Sequence, residues 1–474
     1  MDIHEYARFD ATGLRDLIRT GEADAGEVEA AARQALAQVD EHVNGLALPV
    51  FSPALDHAAD GPFAGVPFLI KDHGPVAEGV PFTLGSRAYP GVLARRDTDL
   101  MTRFRAAGLV TLGLTTVPEL CVSFTTEPVR YGPVRNPWVL GRTAGGSSGG
   151  AAALVAAGAV PVAHASDGAG STRIPAACCG LVGLKLSRGR GPCGPDAGEL
   201  VLGMADEFVL TRTVRDAAGL LDAVHGPGIG DKYTAPPPRG PYARELVTDP
   251  GRLRVALTTT SWMGTDVDPE VAAAAVATAR VLEQAGHVVE EASPAVDRED
   301  AMRAWIIEAV GVASPCLLAP RQPDEARMEA VSREFLKAAR QATALDMLAA
   351  FDAQNRITRS AAAFFAGYDL LVTPTLGRLP VPHGTLRYDD PGQTLRGWLE
   401  TLSWFGPFTQ LFNTTGQPAI SLPLGQSAGG LPIGVQVAAA YGREDLLFQV
   451  AAYLERAMPW RDRVPPIFAG GLPG

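Results

Sequence analysis

No apolar run in this chain of 474 residues approaches the ~20 residues needed to cross a bilayer, and positive charge is in deficit. With 41 Lys and Arg against 52 Asp and Glu, the formal net charge is −11, which favours solubility and argues against nucleic acid or an anionic membrane as the main partner. The first residues, Met1-Asp-Ile-His-Glu-Tyr, lack the basic start and apolar core of a secretory signal, so the expected location is the cytoplasm. Cysteines are few and odd in number, five in all, which excludes a disulfide framework. Cys178 and Cys179 stand together in an apolar context and read as packing residues. The eight histidines are scattered from His4 to His383 without paired spacing and no Cys-x-x-Cys occurs, so neither a metal nor another cofactor is expected.

What the chain does have is serine framed by glycine. Between Gly145 and Gly180 lie two such clusters, Ser147-Ser148 and Ser171, separated by small apolar residues. Ala151 to Ala157 is a helix former with slim side chains that other backbone can approach closely, and Val160 to Ala165 suits a buried strand. The ends of that helix and strand can meet, and glycines beside each serine let backbone N–H groups turn toward a bound anion. This is the anatomy of a hydroxyl nucleophile with an oxyanion site beside it. By composition Gly-Gly-Ser-Ser-Gly-Gly also resembles a flexible linker, but it runs straight into a helix with no polar tract on either side. A phosphate loop needs a Lys followed by Ser or Thr after its last glycine, and neither cluster has one. The dinucleotide pattern fails because Arg173 stands where its third glycine belongs.

Along the rest of the chain, helix and strand periods alternate. Helix spacing runs from Gly13 to about Val43. The apolar residues Val66, Phe68, Leu69 and Ile70 then form a buried-strand pattern that ends in Lys71. A lysine closing a strand is ordinarily solvated; this one follows a run that places it at the edge of a core, where partial desolvation lowers its pKa. Further elements are a helix from Asp99 to Ala107 and strands at Leu109–Leu112, Gly183–Leu186, Arg254–Thr258, Asp369–Thr375, Pro418–Leu424 and Ile433–Ala438. Helices are expected at Pro269–Ala285, in two stretches over Asp324–Ala366, and at Glu444–Ala457. Strands at both ends with helices between predict one large α/β sheet in a single domain over residues 1–474, and Gly226 to Pro241 reads as a surface loop.

Several stretches in order carry a resemblance: Gly65-Val-Pro-Phe-Leu-Ile-Lys-Asp, Gly145-Gly-Ser-Ser-Gly-Gly, Asp167-Gly-Ala-Gly-Ser-Thr-Arg-Ile-Pro-Ala, Gly183-Leu-Lys, Gly416-Gln-Pro-Ala-Ile-Ser-Leu-Pro-Leu-Gly and Leu431-Pro-Ile-Gly-Val-Gln. The chain resembles the amidase signature family, with a core region at about 60–190 and a variable, substrate-facing region at about 226–366. That resemblance implies a large mixed β-sheet surrounded by α-helices. It implies a catalytic lysine at Lys71, a bridging serine at Ser147 and an acylated serine at Ser171, with backbone N–H groups of Gly168, Ala169, Gly170 and Ser171 as the oxyanion hole. Ser148, Asp167 and Arg173 fall in supporting places, the last two as an ion pair. Two positions depart from the family pattern: Ala169 replaces a glycine, which requires negative φ there, and Leu186 stands where proline commonly follows Gly-Leu-Lys.

Serine needs a base, and neither glycine-rich loop holds a histidine. His164 is nearest in sequence but alternates into a buried strand, where it reads as a satisfied core residue. The base is then a neutral Lys71, acting through Ser147 on Ser171 to cleave an amide by way of an acyl-serine. Small linear aryl or alkyl amides, cyclic amides, esters and carbamates are all within reach of that route. Trp305, Phe335, Trp398, Trp404, Phe405 and Phe408, with Cys316, are candidate pocket residues, although aromatics in helices more often serve the core. Two rival readings stand beside the amidase. One is the glutaminase subunit of a tRNA-dependent amidotransferase, which the acidic balance opposes. The other is a non-catalytic binding protein on the same scaffold, which would not need all three of Lys71, Ser147 and Ser171. Oligomeric state is not readable from the chain; a homodimer is the assembly to test.

Overall fold

The fold was described from a computed structural model covering residues 1–74 and 76–472. Its strands in chain order are β1 Pro67–Lys71, β2 Pro81–Phe82, β3 Val92–Leu93, β4 Val110–Thr115, β5 Val162–Asp167, β6 Val182–Lys185, β7 Asp206–Thr211, β8 Arg254–Leu257, β9 Val288–Glu291, β10 Leu370–Pro374, β11 Ala419–Gln426 and β12 Pro432–Ala439. Ten of them form one mixed sheet in the order β4-β1-β5-β7-β6-β11-β12-β10-β8-β9, and β2 pairs with β3 as a separate ribbon. The first half of the chain is joined to the last by β6 pairing antiparallel with β11, Lys185 opposite Ala419. Strands from distant parts of the sequence thus share one hydrogen-bonded layer, and the expected large mixed sheet is present.

Burial explains the strand composition. All five residues of β1 and all six of β5 are buried, as a strand covered on both faces requires, and β1 runs parallel to both β4 and β5. The helix Gly149–Ala156 is buried on every side. Its small residues permit that placement: a Cβ on Gly150 would sit 2.4 Å from the Gly45 carbonyl oxygen and 2.6 Å from the Thr116 nitrogen. Two features start the helix that follows β8. Pro269 occupies the first turn of helix Pro269–Gln284, and Asp268 accepts from the Glu270 N–H at 2.9 Å. The last long helix runs from Glu444 to Ala457.

Other elements differ from the sequence reading. The strand expected at Val160–Ala165 lies two residues later, at Val162–Asp167, because it continues through polar side chains that find buried partners. β7 carries no period-2 signal at its acidic start, Asp206-Glu207, yet it sits between β5 and β6 in mid-sheet. Helices Val214–Val224, Arg298–Leu318 and Leu395–Phe405 also go beyond the expectation. Arg298–Leu318 is long and apolar enough in composition to span a membrane, contrary to the absence of any such run inferred from sequence. Half of its most apolar window is buried inside the protein. The five cysteines are all free, and Cys178 and Cys179 are buried in the core, as packing residues should be.

Candidate active site

Three segments converge at the carboxyl ends of β1 and β5. β1 delivers Lys71, which is completely buried rather than only partly desolvated. Its Nζ lies 2.8 Å from Ser147 Oγ and 2.7 Å from Ser166 Oγ. Ser147 follows a cis peptide bond from Gly146 and leads through Ser148 into helix Gly149–Ala156. The Ser148 N–H donates to the Ser171 carbonyl at 3.3 Å, so the two serine clusters, well separated in the chain, are joined through backbone. Ser148 Oγ is 3.4 Å from both the nitrogen and the oxygen of Ser166. Ser147 and Ser171 are buried as well.

Burial pushes the Lys71 ammonium below the ordinary lysine range, while Cys121, Asp167 and Glu207 pull the other way. Its immediate partners are two uncharged hydroxyls, and among the described residues no carboxylate contacts Nζ directly to hold the proton. A deprotonated Nζ has one lone pair to accept a hydroxyl hydrogen and two N–H groups to donate.

Ser166 belongs to this cluster although sequence reasoning passed over it. The available signal was period-2 alternation: in a strand, Ser166 shares a face with His164, and a buried hydroxyl there must find a partner.

The loop after β5 holds the remaining candidates. Gly168, Ala169, Gly170 and Ser171 lie between β5 and helix Arg173–Cys179, and among the described residues none of their four N–H groups donates to a protein acceptor. Ala169 keeps a negative φ, so the methyl group that replaces a family glycine is accommodated. Gly170 has no such freedom. Its φ is +134°, and a Cβ there would lie 2.4 Å from Thr409 Oγ1, which is itself committed to the Ala169 carbonyl at 2.6 Å. Gly170→Ala is expected to cost about 2 kcal/mol or more in stability and to lower activity at least tenfold, because relieving the clash shifts this loop. Urea unfolding alongside initial rates measures both.

Asp167 and Arg173 form the expected ion pair. Arg173 Nε and Nη2 donate to the two Asp167 oxygens at 2.9 and 2.8 Å, and Asn413 Nδ2 donates to Oδ1 at 3.0 Å. Arg173 also donates to Gln436 Oε1 at 2.7 Å and to the Thr409 carbonyl at 2.8 Å. This explains what the C-terminal Gly-Val-Gln stretch contributes: Gln436 holds the arginine that anchors the Ser171 loop. Burial alone would raise the Asp167 carboxyl, but Arg173 and Asn413 outweigh it and hold the group at about 2. Removing the guanidinium with Arg173→Ala leaves a buried carboxylate unpaired, and a loss of roughly 3–5 kcal/mol is expected in urea titration. The sign with pH follows from the depressed pKa. The contribution is complete above the ordinary Asp value near ~3.9 and disappears as pH falls toward about 2. The variant's deficit should therefore shrink over that acid range.

Behind Lys71 lies a second polar group. The Lys71 N–H donates to His164 Nδ1 at 3.4 Å, and His164 Nε2 faces Glu207 Oε2 at 3.8 Å without a hydrogen bond. Among the described residues His164 is therefore buried but not fully satisfied, unlike the core residue the sequence suggested. His73 Nε2 is hydrogen-bonded to Glu207 Oε1. Burial lowers the His164 pKa, while the two imidazoles hold Glu207 far below the carboxylate range despite its burial. His73, His164 and Glu207 could each offer a ligand atom to a cation within a span of 4.8 Å, a grouping that scattered sequence spacing concealed. Direct hydrogen bonding between His73 and Glu207 already employs two of those atoms. Lys185 of the Gly-Leu-Lys stretch is structural, buried and 3.0 Å from Asp206.

Two surface cavities lie away from these residues. One of about 650 Å³ is bounded by His4, Trp138, Arg212 and Trp460 and includes none of the candidate residues. Another, of about 480 Å³, reaches Ser123 and Thr125, whose carbonyl oxygens abut Gly146. Of the aromatic candidates, Trp305, Phe335, Trp398, Phe405 and Phe408 are buried. Trp398 is tied to the fold by donating to the Val122 carbonyl at 2.9 Å.

A family model described as Amidase matches residues 28–448. The 6-aminohexanoate-cyclic-dimer hydrolase of Paenarthrobacter ureafaciens is 42% identical over 480 aligned positions, covering 97% of this chain and 96% of that one. The solved structure of a 6-aminohexanoate cyclic dimer hydrolase superposes with a TM-score of 0.90 at 40% identity, over 97% of this chain and 99% of that chain. A bacterial aryl acylamidase of the amidase signature enzymes gives a TM-score of 0.86 at 28% identity, over 95% of this chain and 96% of that chain. Sequence over nearly the whole length and the shared sheet agree, and the chain belongs to the amidase signature family as a hydrolase acting on amides.

Proposed function

We propose that the protein hydrolyses a small amide through an acyl-serine on Ser171, with Lys71 as base and Ser147 as the proton bridge. The observation that carries this reading is the buried Lys71 Nζ at 2.8 Å from Ser147 Oγ, with no carboxylate among the described residues in contact to keep it charged. Lys71 accepts the Ser147 proton as Ser147 accepts that of Ser171, and Ser171 Oγ bonds to the amide carbon. The resulting oxyanion is received by N–H groups of the Gly168–Ser171 loop. Collapse breaks the C–N bond, and the departing amine takes a proton back through Ser147. Water then attacks the ester, giving its proton to the same relay, and the C–O bond to Ser171 breaks with the acid released. Ser166 orients the Lys71 amine so that its lone pair faces Ser147.

The substrate class that fits is a compact amide, cyclic or linear, in keeping with the relative that acts on a cyclic dimer of 6-aminohexanoate. The chain is read as one amidase unit, in which residues of the 226–366 region reach the nucleophile loop. The test is a panel of p-nitroanilides, esters and cyclic amides followed by amine or alcohol release. Turnover of at least one amide with equimolar acid and amine is expected. Hydrolysis confined to esters would remove the amidase reading.

A further inference from the structure

Helix Arg298–Leu318 carries two buried polar atoms with nothing to bond. Glu308 Oε2 and Trp305 Nε1 lack any hydrogen-bond partner among the described residues, and Glu308 enters no salt bridge there. Both side chains are more than nine-tenths buried, Trp305 at 2% exposure and Glu308 at 8%. Three residues apart on one helix, they are neighbours on its surface. Glu308 also stands at the nucleophile loop: its Oε1 lies 3.8 Å from the point where a Cβ on Gly168 would be, beside the Ala205 methyl at 3.7 Å.

An unpaired buried carboxyl and an unpaired buried indole N–H are each costly, so each calls for a partner. Neither belongs to the lysine–serine relay, and among the described residues neither Glu308 Oε2 nor Trp305 Nε1 is held by a hydrogen bond. We propose that Glu308 and Trp305 form a substrate subsite beside the Gly168 end of the nucleophile loop, which takes a second, uncharged amide group of the substrate. The proposal rests on the acyl-serine reading and refines its substrate class to diamides.

Complementarity selects that chemistry. The indole N–H can only donate, so it calls for a carbonyl oxygen, whereas the carboxyl can accept from an N–H. A secondary amide supplies both. Burial, with Asp167 nearby adding to the effect, raises Glu308 to about 8, so at neutral pH the site presents a protonated carboxyl and favours an uncharged guest. Glu308 lies within the segment that the family resemblance marks as variable, where substrate choice is expected to reside.

The test compares two diamides with apolar isosteres that keep one amide. Adipic acid bis(methylamide), with its second amide on the acyl side, is set against N-methyloctanamide. Hexamethylene bisacetamide, with its second amide on the amine side, is set against N-nonylacetamide. The readout is the ratio of kcat/KM for each diamide to that for its isostere. The wild-type protein should prefer at least one diamide, and Glu308→Leu should lower that preference by about ten- to hundredfold, mainly through KM. Glu308→Gln, which keeps a donor and an acceptor, should retain most of it. Equal rates on diamide and isostere in the wild type, an unaltered preference in Glu308→Leu, or equal loss in the Leu and Gln variants would each overturn the subsite. Ser171→Ala on the monoamides separates the two claims: turnover surviving there sinks the acyl-serine reading itself, whereas a failed preference with Ser171 still required sinks only the role of Glu308.

Discussion

Ser171→Ala should lower kcat on amides by on the order of 10⁵- to 10⁶-fold, the loss seen when a serine hydrolase is deprived of its nucleophile. Nearby hydroxyls are already engaged: Ser147 Oγ with Lys71 Nζ at 2.8 Å and Thr409 Oγ1 with the Ala169 carbonyl at 2.6 Å. The substitution removes one hydroxyl and leaves the backbone contact between the Ser148 N–H and the residue 171 carbonyl in place. Substrate binding and unfolding midpoint should therefore stay close to those of the parent. Comparing single-turnover rates with binding of the uncleaved amide separates the two effects, and a variant that retained more than about a hundredth of the parental kcat would remove Ser171 from the nucleophile's role.

Lys71→Met should abolish turnover to within roughly 10³- to 10⁴-fold below the parent while leaving the fold in place. The magnitudes decide the second half of that statement. Methionine fills a similar volume and removes the desolvation penalty that lowers the lysine pKa, whereas Ser147 and Ser166 each lose a hydrogen bond worth about 1 kcal/mol. These terms oppose one another, and a net change within about 2 kcal/mol is expected in urea unfolding. In the parent, kcat/KM should rise with pH as Lys71 sheds its proton and level off below the ordinary lysine value near ~10.4. A rate still climbing through that value would contradict a depressed pKa. Linkage supplies an independent sign. Between the lowered folded pKa and the unfolded one, the unfolded chain binds the extra proton, so stability gains with rising pH in that window, and Lys71→Met should lose that slope.

Residues that the sequence presented in local patterns proved the easiest to place. Lys71 ends an unbroken apolar strand, the serines sit among glycines, and Asp167 with Arg173 brackets Ser171, so each could be identified before its partners were known. Residues whose importance depends on a neighbour far along the chain were invisible in this way. Ser166 matters because β1 lies beside β5, Gln436 because β12 passes under Arg173, and Glu207 because β7 inserts between β5 and β6. β7 itself was missed for a related reason: two acidic residues open it, and their tolerance in mid-sheet comes from Lys185 and the histidines across the layer. The helix Arg298–Leu318 shows no one-sided apolar stripe because it is covered on several sides and also turns Glu308 toward the Gly168–Ser171 loop.

The account stands or falls on a covalent bond between substrate and Ser171. Protein mixed with a slowly hydrolysed aryl amide or ester, quenched in acid within one turnover and digested, should yield a peptide containing Ser171 heavier by the acyl group, with the adduct absent from Ser171→Ala and slow to form in Lys71→Met. Substrate consumed at the parental rate with no adduct on that peptide, or with the acyl group on Ser147 or Cys121 instead, would contradict it.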